Sequence, residues 1–418
     1  MNETDAIWYP YSLMKQSSNI LDVSHAKKSK IYTHDGKELI DAMASWWSVI
    51  HGYNHPQLNK VAKEQLDQVA HVMLGGLKTK ATHDCANELI KFTGNKFKKV
   101  FFSDSGSVGC EVALKMALQF HFNKGEKQKN KILTLKGGYH GDTFATMALC
   151  DPEDGMHHVF SKQLQAHYFL NLPQQNKTIK EALQDAKNLI EKEKKHIAAF
   201  IVEPLFQGAS SMKAYSSIFL NELCKLCKSN DILVIFDEIA TGFGRLGTTF
   251  AFEQIEENPD ILVLGKGLTA GYMGMAATLA TENIFDSFLM DKAHPFMHGP
   301  TFTGNALGCR IALESIRLFR NENCLEKVKK IEKIFISELN PLKKIKNIDL
   351  RIKGAIAVVE LKNRASWKNA QKIALEQGVW LRPFASFLYT MPPYCITANE
   401  QKRICETIKL IVSKSNLS

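Results

Sequence analysis

The sequence predicts an α/β protein with a mostly parallel central sheet, helices on both faces of that sheet, and a smaller α+β domain. Two observations lead to this prediction. Short, almost wholly apolar segments recur between residues 100 and 264, and helical patterns separate them. Strands of a parallel sheet that is covered on both faces have this composition. After about residue 320 the regular alternation ends, and a mixed set of helices and strands follows.

In chain order, the first predicted element is a hairpin around Asp35 and Gly36, which separate two short apolar-containing runs. Helical periodicity is expected over residues 58–66, 85–90, 112–118 and 328–339, with a last helix at about 400–412. Apolar runs predict strands at residues 100–102, 132–135, 198–202, 232–236, 261–264, 355–361 and 379–382. We expect a large domain over residues 44–320 and a small domain built from residues 1–43 and 321–418.

The composition excludes several classes of protein. Of the 418 residues, 45% are hydrophobic and 23% are charged, as in an ordinary globular protein. The net charge of +10 comes mainly from dispersed lysines without interleaved aromatic residues, which favours a solvated surface over nucleic-acid binding. No apolar run approaches the roughly 20 residues of a membrane helix, and residues 1–8 lack a signal-peptide core. Nine cysteines suit a reducing compartment, so we expect a cytoplasmic protein.

Two short motifs could suggest a metal site, but neither is complete. Cys224 and Cys227 form a CxxC pair inside a helical pattern, where core packing is the favoured role. His294 and His298 are four residues apart, but no carboxylate or third ligand accompanies them. We therefore expect no metal.

Lys266 occupies an unusual position. It follows the apolar strand at residues 261–264 and lies between Gly265 and Gly267. Lysines avoid burial unless they are paired or chemically used, and a desolvated lysine becomes a nucleophile toward carbonyl groups. A lysine that points to solvent at a strand end is the ordinary alternative, and the position alone does not decide between them.

The end of the strand at residues 100–102 leads into a possible anion site. Residues 103–108 read Ser-Asp-Ser-Gly-Ser-Val and open into a helix. Free N–H groups and the positive end of the helix dipole bind anions, and Gly106 permits close backbone approach beside the hydroxyl of Ser107. A plain helix N-cap is the alternative. Dinucleotide and P-loop motifs are absent from this segment.

Two further strand ends add candidate groups. Asp237 and Glu238 follow the strand at residues 232–236, where a buried carboxylate must be paired or functional. Tyr139 lies in a glycine-rich loop at residues 137–142, where an aromatic ring suits stacking on a planar ligand. A salt bridge and a simple turn are the respective alternatives. Together, an anion site, a stacking ring, an aspartate and a lysine describe pyridoxal 5'-phosphate (PLP), a planar phosphorylated pyridine aldehyde.

At this point the chain resembles the class III aminotransferases of the fold type I PLP superfamily, whose signatures correspond to residues 237–245 and 264–268. Six further segments resemble the branch that aminates 7-keto-8-aminopelargonate with S-adenosylmethionine in biotin biosynthesis, at residues 8–14, 45–53, 138–142, 297–302, 378–384 and 389–394. Ala240 also matches this branch, because many related ω-aminotransferases carry Gln there. Tyr9 and Leu246 depart from the usual pattern without changing a catalytic group.

The resemblance implies a role for each matching residue. Lys266 is expected to form the Schiff base, Asp237 to pair with the pyridine nitrogen, and Tyr11 to assist catalysis as part of donor recognition. The expected cofactor-binding residues are Gly106, Ser107, Tyr139, Asp237, Lys266, Pro300 and Thr301, the last two reaching across from a second subunit. The expected substrate-binding residues are Trp46, Trp47, Tyr139, Asp142, Arg245, Gly299, Arg382 and Tyr389.

Several alternatives remain open at this stage. The resemblance implies a homodimer, but the amino donor could be lysine instead of S-adenosylmethionine. Another class III ω-aminotransferase, acting on ornithine or GABA, is the nearest rival. A catalytically silent PLP-fold binding protein is a further alternative, which intact Lys266 and Asp237 disfavour.

Overall fold

A computed structural model of the chain describes residues 6–11, 20–151, 155–173, 177–209, 212–363 and 365–415. Its strands are β1 (Val23–Lys27), β2 (Lys30–Thr33), β3 (Glu38–Asp41), β4 (Lys99–Ser103), β5 (Lys131–Leu135), β6 (Tyr168–Leu170), β7 (Ile197–Val202), β8 (Leu233–Asp237), β9 (Ile261–Leu264), β10 (Ala276–Ala280), β11 (Ile348–Lys353), β12 (Ile356–Leu361), β13 (Val379–Trp380) and β14 (Phe387–Thr390).

The helical elements are α1 (Ala44–Trp47), α2 (Pro56–Leu66), α3 (Lys80–Phe92), α4 (Gly106–Asn123), α5 (Phe144–Met147), α6 (Ile179–Glu193), α7 (Ser217–Lys228), α8 (Glu282–Asp286), α9 (Ala306–Asn321), α10 (Cys324–Leu339), α11 (Ala370–Glu376) and α12 (Ala398–Lys414). No helix among the described residues has the length and apolar character needed to cross a membrane. Side-chain caps begin several of the long helices, as where Ser105 Oγ accepts the N–H of Val108 at 3.2 Å.

The central sheet confirms the predicted fold class. Its seven strands lie in the order β4-β10-β9-β8-β7-β5-β6. β10 is antiparallel to both of its neighbours, while the other neighbouring pairs are parallel. The five strands predicted between residues 100 and 264 are all present. β10 and β6 were not predicted, because β10 is mostly alanine and β6 has only three residues.

Two smaller sheets lie outside the central one. In the first, β13 pairs in parallel with β3, so that residues from both ends of the chain share a sheet with the order β1-β2-β3-β13. β2 and β3 form the hairpin predicted around Asp35 and Gly36. The second sheet is antiparallel, with the order β11-β12-β14. This arrangement suits a small domain made from both termini, although the boundaries at residues 43 and 320 remain a prediction.

The hydrophobic core covers both faces of the central sheet. Every residue of β7, β8 and β9 is buried, as expected for strands with helices on both sides. Cys224 and Cys227 are fully buried in α7 and pack in this core, in agreement with the expected packing role. A sheet buried in this way leaves its polar groups at the strand ends, which is where the candidate site lies.

Candidate functional site

A cavity of about 300 Å³ lies where the central sheet meets segments from both ends of the chain. It brings together most of the substrate-binding residues predicted from the sequence. Its lining consists of Tyr11, Trp46, Trp47, Tyr139, Met156, Ala209, Met212, Lys266, Arg382, Pro383, Phe384, Ala385 and Tyr389. The lining therefore joins one amine, one guanidinium group and several aromatic rings.

Lys266 follows β9 directly and is half-buried at the cavity. Its backbone has a positive φ of 43°, and its Nζ lies 5.6 Å from the centre of the Trp47 ring. Burial lowers the pKa of the Lys266 amine, and the negative charge of Asp237 opposes that shift. A lowered pKa increases the neutral, nucleophilic fraction of the amine.

Asp237 ends β8 and is only 3% exposed. One carboxylate oxygen lies 2.9 Å from Nδ1 of His140 and accepts a weak bond from the Cys110 thiol at 3.4 Å. The other oxygen accepts the N–H of Ile239 at 3.1 Å. These three partners fix the orientation of the carboxylate.

His140 and Cys110 were not among the residues predicted from the sequence. The sequence signal for His140 was its place after Tyr139 in the glycine-rich loop. Cys110 had no such signal, and the structure places it on the buried face of α4. Their side-chain atoms and those of Asp237 lie within 4.8 Å of one another, but the donor–acceptor contacts account for this proximity without a metal.

Glu238, the next residue, has a different environment. It is fully buried, and its carboxylate accepts the N–H groups of Ala251 at 2.7 Å and Phe252 at 2.8 Å. The hydroxyl of Thr241 donates a third bond at 3.2 Å. Burial raises the pKa of Glu238 to about 8, against the effect of these donors. Glu238 therefore organises the backbone around residue 251 and does not line the cavity.

The first turn of α4 has the properties of an anion site. Its leading N–H groups have no helical acceptor. A Cβ at Gly106 would lie 2.9 Å from Ile239 Cδ1, so a side chain there would displace a neighbour. Ser107 Oγ accepts the N–H of Asp142 at 3.1 Å, which ties the glycine-rich loop to this helix start. Gly106 and Ser107 thus lie between β4 and the Tyr139 loop, and their binding of a phosphate remains a prediction.

Asp142 is the centre of a polar network at the cavity mouth. Its two oxygens accept the hydroxyls of Tyr11 at 2.8 Å and Tyr139 at 2.9 Å, and His157 Nε2 lies 2.9 Å away. Burial raises the pKa of Tyr11 and of Tyr139, so both hydroxyls keep their protons at neutral pH. His157 was not identified from the sequence. The network concentrates one negative charge where a cationic ligand could approach.

Glu203 supports the loop that carries Tyr139. Its carboxylate accepts the N–H groups of Tyr139 at 3.0 Å and Gly208 at 2.8 Å. Burial raises the pKa of Glu203 to about 7, with a smaller opposing effect from His140. This residue was noted at a strand end in the sequence but received no role.

The opposite side of the cavity is built from aromatic residues and one arginine. Trp46 is 43% exposed, while Trp47 is 6% exposed. The guanidinium carbon of Arg382 lies 5.1 Å from the centre of the Trp46 ring, and Tyr11 meets that ring edge-on at 6.0 Å. Burial raises the pKa of Tyr389 to about 12, so its hydroxyl is neutral at physiological pH. This surface pairs apolar faces with a single cation.

Arg245 does not line the cavity. It is 1% exposed and lies behind Trp47, where it donates to the carbonyl oxygens of Pro392 at 2.9 Å and Trp47 at 3.3 Å. Its guanidinium carbon also lies 4.8 Å from the centre of the Tyr394 ring. We therefore revise its predicted role from substrate contact to support of the Trp47 backbone.

Gly299, Pro300 and Thr301 are likewise absent from the lining of the cavity. Gly299 and Thr301 are exposed, and the loop that carries them is attached to β4. In that attachment the Thr303 hydroxyl donates to the carbonyl oxygen of Phe102 at 2.6 Å. These residues therefore do not line the cavity of their own chain.

Comparison with known proteins gives this geometry a context. The family model described as "Aminotransferase class-III" matches residues 12–412. A relative from Buchnera aphidicola subsp. Schizaphis graminum, named adenosylmethionine-8-amino-7-oxononanoate aminotransferase, is 41% identical over 416 residues, covering 98% of this chain and 96% of the relative. A relative of the same name from Saccharomyces cerevisiae is 38% identical, with 96% and 93% covered.

Two solved structures have the same fold. The crystal structure of adenosylmethionine-8-amino-7-oxononanoate aminotransferase from Methanocaldococcus jannaschii is 32% identical, with a TM-score of 0.91 and coverage of 98% of this chain and 97% of that chain. An amine transaminase from an uncultivated Pseudomonas species, solved in a PLP-bound form, is 26% identical, with a TM-score of 0.93 and coverage of 99% and 100%.

Proposed function

Because the chain belongs to the class III aminotransferase family, we propose that it transfers an amino group from S-adenosylmethionine to the ketone of 8-amino-7-oxononanoate, the 7-keto-8-aminopelargonate of biotin biosynthesis. Membership of the family makes it a PLP-dependent aminotransferase. The substrates come from the names of its relatives, and the cavity supports them through its residues.

The residues at the sheet edge fit PLP. Gly106 leaves no room for a side chain beside the free N–H groups of α4, which suits a bound phosphate. Asp237, fixed by His140, offers a carboxylate to a ring nitrogen, and Lys266 offers an amine of lowered pKa to an aldehyde. When bound, PLP supplies an electron sink for the carbon that bears the amino group.

Lys266 has the position and acidity of the proton carrier. Its amine lies at the cavity within 5.6 Å of the Trp47 ring centre, and burial favours its neutral form. A neutral amine accepts a proton from a carbon acid and returns it to a neighbouring atom as the general acid. Asp237 would hold a proton at the ring nitrogen of bound PLP through its negative charge, and His140 keeps that carboxylate oriented.

The observation that carries the substrate proposal is the placement of Arg382 over the Trp46 ring, in the same cavity as Lys266. A guanidinium fork binds a carboxylate through two parallel hydrogen bonds. The tryptophan faces provide apolar contact for a methylene chain, so this side suits a long-chain keto acid. The Tyr11–Asp142–Tyr139 network suits a cationic amino donor.

The site is completed by a second copy of the chain in this proposal. Gly299, Pro300 and Thr301 are outside the cavity of their own chain. The resemblance assigns Pro300 and Thr301 to the phosphate of a partner subunit, and we propose that Gly299 contacts the substrate from the same loop. We propose a homodimer in the cytoplasm, where nine free cysteines are chemically stable.

The donor and acceptor are tested separately in the two half-reactions. Purified enzyme with bound PLP is mixed with S-adenosylmethionine, lysine, ornithine or GABA, and the cofactor absorbance is followed. Conversion by S-adenosylmethionine, followed by recovery of the original spectrum on adding 8-amino-7-oxononanoate, is the expected result. No spectral change with S-adenosylmethionine but conversion by lysine would replace the donor. Recovery with other keto acids only would overturn the acceptor.

A further inference from the structure

The segment that carries Trp46 and Trp47 has an unusual backbone. Four consecutive residues have positive φ: Ala44 at 44°, Ser45 at 43°, Trp46 at 55° and Trp47 at 79°. With ψ values of 61° and 54°, Ser45 and Trp46 lie in the left-handed helical region. L-residues other than glycine enter this region at an energetic cost, and they normally do so singly. A run of four requires an arrangement of neighbours that holds it.

The carboxylate of Asp41 occupies the centre of that arrangement. Asp41 is the last residue of β3 and is fully buried. It accepts the N–H of Met43 at 2.8 Å. Burial raises the pKa of Asp41, and the Tyr53 hydroxyl and the backbone N–H groups of Met43, Ala44 and Ser45 oppose that shift. Successive N–H groups that converge through a right-handed residue followed by a left-handed one form an anion-binding nest. Here the anion is a side chain of the same segment.

Tyr53 completes the arrangement. Its hydroxyl donates to Asp41 at 2.6 Å and lies 2.5 Å from the hydroxyl of Ser45. Because the single Tyr53 proton is directed to Asp41, the Ser45 hydroxyl must donate to the Tyr53 oxygen. The backbone of Tyr53 is itself fixed by two hydrogen bonds to Lys28, at 2.8 and 2.9 Å. Asp41 thus connects the left-handed turn to the first sheet.

The turn determines which way the tryptophans face. In an extended strand, two consecutive side chains would point to opposite faces. In this turn both line the cavity, Trp46 beneath Arg382 and Trp47 beside Lys266. We propose that Asp41, assisted by Tyr53, is a positioning residue that holds residues 44–47 in the conformation required for recognition of the acceptor's alkyl chain. This inference rests on the proposed function. In it, Asp41 and Tyr53, which do not line the cavity, determine how well the enzyme binds its acceptor.

The experiment uses full-length enzyme with bound PLP and compares Asp41→Asn with wild type. We expect KM for 8-amino-7-oxononanoate to rise about tenfold while kcat changes much less, because the cost of ordering the turn falls on acceptor binding. Tryptophan emission should shift to longer wavelength as the buried Trp47 gains contact with water. Asp35→Asn is the matched control, since Asp35 is an exposed carboxylate at the turn of the β2–β3 hairpin, where it bonds to Thr33 and Lys37.

A second pair of variants separates positioning from a general loss of stability. Adding Ala44→Gly to Asp41→Asn should restore most of the acceptor KM, because glycine enters the left-handed region without steric cost. Tyr53→Phe should raise KM in the same direction by a smaller factor, and it provides the test if Asp41→Asn does not fold. An unchanged KM in folded Asp41→Asn or in Tyr53→Phe, or a failure of Ala44→Gly to restore it, would overturn the proposal.

The role of Asp41 and the proposed function can be tested separately. If wild-type enzyme does not aminate 8-amino-7-oxononanoate, the proposed function fails. The turn is then judged from the tryptophan emission alone, which should shift in Asp41→Asn and return on adding Ala44→Gly. An unshifted emission spectrum in that case would refute the role of Asp41.

Discussion

The two sides of the cavity are constructed differently. We call Gly106, Asp237 and Lys266 the cofactor floor, and Trp46, Trp47, Arg382 and Tyr389 the substrate wall. Each floor residue lies at the end of a strand of the central sheet. Gly106 follows β4, Asp237 ends β8 and Lys266 follows β9. Arg382 lies outside the helices and strands, and Trp46 and Trp47 lie in the short element α1, whose backbone has a disfavoured positive φ. The fourth, Tyr389, belongs to the small antiparallel sheet.

The difference shows how the fold separates two tasks. Chemistry common to a whole cofactor family needs fixed distances, and strands buried on both faces provide them. Recognition of one substrate needs a surface that can change between relatives, and loops supply such surfaces. We therefore expect substitutions in the floor to reduce kcat, and substitutions in the wall to raise KM or alter local stability.

The largest effect is expected for Lys266→Ala in the floor. Among the described residues that line the cavity, Lys266 carries the only amine, so its removal should reduce kcat by more than about 10⁴-fold. Steady-state rates give the measurement, with circular dichroism and PLP content showing that the protein is folded and loaded. Activity near that of wild type would contradict the assignment of Lys266 as the proton carrier.

A sharper comparison uses adjacent carboxylates. Asp237→Asn should lower kcat by about 10²- to 10³-fold, because the charge that holds a proton at the ring nitrogen is lost. Glu238→Gln places an amide group against the N–H groups of Ala251 and Phe252. It should reduce the free energy of unfolding by about 1–3 kcal/mol and leave kcat nearly unchanged. Steady-state rates and thermal melts of both variants provide the measurement. A large loss of kcat in Glu238→Gln with little loss in Asp237→Asn would contradict the two assigned roles.

Acid should destabilise the segment that follows the left-handed turn at residues 44–47. Burial lowers the pKa of His51 to about 4, and its Nε2 lies 3.0 Å from the carbonyl oxygen of Ser315. Between pH 6.5 and 4 the unfolded chain binds a proton at this residue that the folded chain does not bind, so stability falls as the pH falls. The full loss from this group is about 3 kcal/mol.

His51→Gln, which keeps a donor for Ser315, should remove this part of the pH dependence. Thermal melts of wild type and variant across that pH range provide the measurement. Parallel curves for the two proteins would show that His51 is not the responsible group.

A smaller effect is expected for Arg382→Lys in the wall. A lysine cannot reproduce the two parallel hydrogen bonds of a guanidinium group, so KM for the keto acid should rise by about 30-fold, or about 2 kcal/mol. Arg403→Lys on the exposed face of α12 serves as the control, and its KM should match that of wild type. A fall in kcat of the same size with no change in KM would show that Arg382 contributes to the chemical step and not to binding of the keto acid.

Most of the floor could be predicted from the chain alone. The strands at residues 100–102, 232–236 and 261–264 were visible as apolar runs, and the polar residue after each could be read directly. His140 and Cys110 could not, because their contacts with Asp237 join residues 97 and 127 positions apart in sequence. β11 and β14 were also missed, and their pairing with β12 depends on contacts within the small sheet.

The wall was predicted as a set of residues but not as a structure. Family resemblance indicated Trp46, Trp47 and Arg245 without distinguishing the side chains that line the cavity from the one behind it. Arg245 binds the carbonyl oxygens of Trp47 and Pro392, which are 198 and 147 positions away. Nothing in a local pattern of four small or aromatic residues indicates a left-handed turn.

Local composition thus determined the central sheet and, with it, the edge at which Asp237 and Lys266 meet. Parallel strands place their carboxyl ends together whatever the loops between them do. Tertiary structure decided the conformation of residues 44–47 and the burial of Arg245. A buried carboxylate and a buried arginine are stable only where partners from distant parts of the chain satisfy them, and those partners exist only after folding.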